Sequence, residues 1–107
     1  MPQITFSKSD CDLLQSIIAC VEYELEDVPV KPKGWSYADY LSVFSAVSHK
    51  FGKNIKADSV SVILSETDQT LLRRLINVYV EHYSDLYDDP ISPEKAEALR
   101  ELYSILS

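Results

Sequence analysis

Seventeen carboxylates, two histidines and two cysteines are the side chains in this sequence that could do chemistry. The densest group is YVEHYSDLYDD, residues 79–89, which holds Glu81, His82, Asp85, Asp88 and Asp89. Such residue types bind metals, but the spacing is wrong. On a helix Glu81 and Asp85 share a face, while His82 is turned about 100° away toward the apolar side. The Glu-x-x-His pair of di-iron sites, the calcium loop and the zinc spacings do not occur. The expectation is no metal, no cofactor and a solvated acidic face. His49 falls outside the apolar arc of its helix and reads as exposed.

One polar pair stands out when the chain is compared with itself. Glu24 and His82 occupy equivalent positions of an internal repeat, and both project toward the apolar side of their helices. If the repeat units pack about a two-fold axis, the two side chains approach each other. A buried Glu–His pair would shift both pKa values and could serve as a pH-sensitive or catalytic pair. The plainer reading is that each sits near the end of its helix and reaches solvent.

Cys11 and Cys20 lie on one expected helix. Their separation corresponds to a rise of about 13.5 Å and a turn of about 900°. A disulfide needs Cα atoms within about 7 Å, so the pair cannot close within the chain. Two free thiols fit a reducing compartment. Cys11, near a helix N-terminus, is a candidate for a lowered thiol pKa.

KPKGWSYADY, residues 31–40, has the strongest claim to an interaction site. Lys31, Lys33, Trp35, Tyr37 and Tyr40 combine the only tryptophan with tyrosines and lysines on a Pro/Gly connector. Aromatic residues with a polar handle dominate binding hot spots, and connectors carry function more often than the elements they join. The competing reading folds Trp35 over the end of the molecule as a plug, like a hydrophobic staple before the capping residue Ser36.

The elements that must position these residues come in two copies. Sliding the chain by 58 positions aligns residues 4–48 with 62–106 without a gap, with nine of 45 columns identical. Ser7/Ser65, Asp10/Asp68, Leu13/Leu71, Leu14/Leu72, Ile18/Ile76 and Leu41/Leu99 are among the identities. Each copy begins with a short β-prone piece, at 3–6 and 60–64. A Ser/Thr/Asp cluster follows that can cap a helix: Ser9 with Asp12 in the first copy, Ser65 or Thr67 in the second. The first helix is expected over about residues 10–27, with Leu13, Leu14, Ile17, Ile18, Val21 and Leu25 in one apolar arc. Three more are expected over about 37–51, 66–87 and 93–106, the last with Pro93 at its first position. Gly52 takes the usual glycine role after a helix end. The Tyr79, Tyr83 and Tyr87 stripe continues Leu72, Leu75 and Ile76 at helical spacing and reads as core with hydroxyls at the rim.

The expected fold is therefore all-α and one domain, 1–107, with 49–61 as the linker between repeats. It is a four-helix bundle-like arrangement of two repeated hairpins with approximate two-fold pseudo-symmetry, because one hairpin cannot bury its apolar stripe alone. The two very short strands pair across that axis.

Charge and hydropathy exclude some functions. A net charge of −7 argues against direct nucleic-acid binding, which needs Lys and Arg against phosphates. Residues 31–56 run the other way, with five lysines against Asp39. The opening MPQITFSKSD lacks the basic and apolar regions of a secretory signal, and no apolar run approaches the roughly 20 residues of a membrane helix. These features predict a cytoplasmic protein without membrane attachment. No nucleophile–base pair, phosphate loop or dinucleotide fingerprint is present, so no enzyme activity is expected. The sequence points to a non-enzymatic protein–protein interaction module, an adaptor, complex subunit or inhibitor, contacting another protein through the Trp35 loop. A homodimer follows if the apolar stripes are wider than one bundle covers. Two alternatives remain: an acidic decoy for a nucleic-acid-binding surface, and a small hydrolase or pH-sensitive protein using Glu24 and His82.

Overall fold

Alternating apolar residues in QITFS and SVSVI make two strands, β1 (Gln3–Ser7) and β2 (Ser59–Ile63), which pair antiparallel. The computed structural model describes residues 3–52 and 57–107. The inward faces supply Phe6 and Val62 to the core, with Ile4 and Val60 half-buried. On the outer face Thr5 and Ser61 hydroxyls meet at 3.0 Å and Ile63 is exposed. The register sets Ile4 opposite Val62, the two residues matched by the 58-residue offset. All-α was too narrow: the structure is mostly helical with a two-stranded sheet. β1 is one residue longer than expected, and β2 is shifted one residue earlier, into the stretch read as linker.

Four helices follow: α1 (Lys8–Glu24), α2 (Tyr37–Phe51), α3 (Glu66–Tyr87) and α4 (Pro93–Ile105). Each begins at a serine whose hydroxyl accepts from the third residue beyond it: Ser7 from Asp10, Ser36 from Asp39, Ser65 from Asp68 and Ser92 from Lys95. In α1 and α3 the aspartate also accepts from the serine backbone N–H, completing a capping box. This corrects the expected Ser9–Asp12 cap. Two Ser-x-x-Asp phrases overlap there, and the earlier one is used where the chain leaves the strand, with Lys8 N–H bonded to the Asp58 carbonyl at 2.9 Å.

α1 also stops earlier than expected, at Glu24, with Leu25 as its C-cap. Glu22, Glu24, Glu26 and Asp27 crowd carboxylates against the negative end of the helix dipole. Pro29 disfavours helical backbone at Val28, whose N–H turns back to the Leu25 carbonyl at 3.1 Å. α4 ends one residue short of the expected Leu106, which is its C-cap. Gly52 caps α2 with φ −82°, right-handed rather than the left-handed role expected of it. The left-handed helix end belongs to Asp88, φ 52°, after α3; aspartate tolerates that region better than most residues.

The core sits where α1 packs against both the sheet and α3. α1 supplies Cys11, Leu14, Ile17, Ile18 and Val21, and α3 supplies Leu71, Leu72, Leu75, Ile76 and Tyr79. α2 packs on both helices and α4 packs on α3. Edge-to-face packing of Phe6 on Phe51, centroids 5.4 Å apart, joins the sheet to the end of α2. Among the described residues, no helix is long and apolar enough to cross a membrane.

Candidate functional site: an apolar trough between α1 and α2

The connector from Leu25 to Ser36 is shaped by local rules. Trp35 N–H donates to the Pro32 carbonyl at 3.2 Å, closing a turn with Gly34 at φ 89°, a conformation that strains any L side chain. The Lys31 ammonium reaches the Trp35 carbonyl. From α3, Arg74 crosses to the connector, its guanidinium donating to the Pro29 and Val30 carbonyls at 2.9 and 3.2 Å. Val30 is buried, so the connector is anchored at both its backbone and its side chains.

Beside it lies a hollow of about 600 Å³. Val21 and Leu25 of the α1 side form one wall, and Tyr37, Tyr40, Leu41 and Phe44 of α2 form the other. The α2 residues follow i, i+3, i+4, i+7 spacing, so they make a straight apolar stripe along about two turns. None of the four is buried. Tyr37 is 65% exposed and Leu41 48% exposed. Tyr37 touches Tyr40, and Tyr40 touches Phe44, with centroids 6.1 and 5.8 Å apart. Burial pushes the Tyr40 phenol pKa up, with Tyr37 adding to the effect, so the hydroxyl stays neutral at physiological pH. Glu22 and Glu26 stand on the α1 rim and Lys31 at the connector end.

The five residues singled out from the sequence are divided by the structure. Lys31, Tyr37 and Tyr40 line the trough. Trp35 is half-buried against the core and lines a smaller hollow of about 300 Å³ with Asp39, Val43 and Thr67. Lys33 is exposed and lines neither. Leu41 and Phe44, not singled out from the sequence, also line the trough; their signal is the helical spacing from Tyr37, which reads equally well as core.

Glu24 and His82 are not brought into an ion pair. Glu24 is exposed and accepts from the Cys20 thiol at 3.7 Å, while His82 is half-buried. Cys20 in turn accepts from the Tyr87 hydroxyl at 3.9 Å. The tyrosine stripe runs from core to surface: Tyr79 is buried, Tyr83 half-buried and Tyr87 exposed. The Lys95 ammonium lies 5.5 and 5.1 Å from the centroids of the first two rings.

Both cysteines are buried and unpaired. Burial pushes the Cys11 thiol pKa up and Asp10 and Asp12 add to it, so the thiol stays protonated at neutral pH and lacks the thiolate that nucleophilic chemistry needs. Among the described residues, no three His, Cys, Asp or Glu side chains converge on a point that could hold a metal ion. His49 is exposed.

The arrangement can therefore offer apolar contact with a charged rim. No protein-family model matches the chain, and no curated protein or solved structure is significantly similar to it.

Proposed function

We propose that this chain is a non-enzymatic protein–protein interaction module that works in the cytoplasm and binds its partner at the trough beside the Trp35 connector. The observation that carries the reading is the exposed Tyr37–Leu41 edge of the α2 stripe, facing an open apolar hollow rather than a neighbouring helix. Large apolar side chains held half in water lose their hydration cost when a partner covers them. Two unpaired cysteines suit a reducing compartment.

In this reading the scaffold is a four-helix, bundle-like pair of strand–helix–helix units related by an approximate two-fold axis. Three observations support it. The antiparallel register sets Ile4 opposite Val62, its own match in the 58-residue offset. The two capping boxes are offset-matched, Ser7–Asp10 with Ser65–Asp68. Gln15 and Arg73, also offset-matched, each donate to a carbonyl at the end of the following helix, Phe51 and Leu106.

Affinity capture from cell extract tests the function. The wild-type chain should retain a partner that Leu41→Glu and Tyr37→Glu lose, while both variants keep the wild-type circular dichroism spectrum. A chain that retains nothing and stays monomeric at high concentration overturns the reading.

A further inference from the structure

The two hairpins treat equivalent leucines differently. Leu41 on α2 and Leu99 on α4 are matched by the 58-residue offset, yet Leu41 is 48% exposed and Leu99 2%. Around Leu99 the second hairpin provides its own cover: Ile91 from the connector and Tyr103 from α4 line the same hollow and pack against the core. The offset places Lys33 and Ser45 at the corresponding positions of the first hairpin. A lysine seeks water and a serine is too short, so the α2 stripe is left without the cover that its counterpart has.

The missing cover has a definable shape and charge. The stripe from Tyr37 to Phe44 is straight and about 10.5 Å long, which suits the face of a helix laid alongside rather than an extended strand. Its α1 rim carries Glu22 and Glu26, and Glu24 and Asp27 are exposed close by in sequence. A second copy of this chain is a poor match. Four of its exposed large apolar residues stand beside acids: Tyr23 between Glu22 and Glu24, Val80 before Glu81, Tyr87 before Asp88, and Ile105 four residues after Glu101. Each of the four would bring like charge to the acidic rim, and the exception outside the trough, Ile63, lies on the outer face of β2.

We propose that the trough takes the apolar face of a basic amphipathic helix from another protein, with its Lys or Arg residues along the α1 rim. This deepens the interaction-module reading and rests on it.

The test uses two fluorescent synthetic peptides of about 18 residues, long enough to form helix on the surface. They share one leucine stripe, flanked by lysines in one and glutamates in the other, and binding is read by anisotropy. The lysine peptide should bind and the glutamate peptide should not. Leu41→Glu, and independently Tyr37→Glu, should weaken the lysine peptide at least tenfold. Glu22→Lys with Glu26→Lys should reverse the preference, while Glu81→Lys with Asp85→Lys, the same change in net charge on α3, should leave it in place. Equal effects of the two double variants, or binding indifferent to Leu41→Glu, overturn the proposal. If neither peptide binds but Leu41→Glu still loses the partner captured from extract, the basic helix is wrong and the interaction module stands.

Discussion

Asp68 accepts from the Lys50 ammonium at 2.9 Å and from the Ser65 backbone N–H at 3.0 Å, so one carboxylate ties the end of α2 to the start of α3. Lys50 also donates to the Ile63 carbonyl at 2.9 Å, extending the tie to the last residue of β2. Asp68 is 6% exposed. Burial alone would raise its pKa, but the Lys50 and Ser65 bonds outweigh it and hold the carboxyl below its ordinary value.

A depressed folded-state pKa adds stability above the unfolded value, about 3.9 for aspartate, and that stability is lost as pH falls through the folded value. Asp68→Asn should therefore cost about 1–2 kcal/mol at pH 7. The deficit should shrink as the pH drops below the ordinary carboxylate range. Urea unfolding at both pH values reads it; a deficit of the same size in acid means the charge contributes nothing.

The junction of sheet and helix should be the most sensitive point of the core. Phe6 and Phe51 are 0% and 1% exposed and pack edge to face. Phe51→Ala should cost about 3–5 kcal/mol, a large share of the roughly 5–15 kcal/mol that holds a domain folded. Phe51→Leu should cost about 1 kcal/mol. Denaturant midpoints measure both, and a small loss in the alanine variant would contradict the packing described.

Arg74 should act on the trough through the connector rather than by contact with a ligand. Arg74→Ala removes the donors to Pro29 and Val30. Amide exchange across residues 30–36 should speed up while exchange in the α1 and α3 core is unchanged. Uniform acceleration would mean that Arg74 supports the whole fold instead.

How far the sequence could be read follows from the range of each interaction. The second and third helices were legible at both ends, because serine caps and turn residues act over three or four positions. The first helix was misjudged at its start, where Ser7 and Ser9 both offer an aspartate three residues on. The identical columns Ser7/Ser65 and Asp10/Asp68 held the answer. The trough was not legible, because whether Leu41 is covered depends on α1 and on a water-seeking Lys33 and a short Ser45 standing where the second hairpin has Ile91 and Tyr103. Trp35 drew attention by its type, yet its ring turns toward the core, and the weaker-looking Leu41 is left outside.

Pairing β1 with β2 has a consequence for chain connectivity. Neither half holds both strands, so a chain cut between Gly52 and Ala57 yields two fragments, each with a lone strand and an apolar helix face lacking its complement. Such fragments should be insoluble or unstructured apart and regain helicity when mixed, a split-protein complementation in which the sheet acts as the clasp.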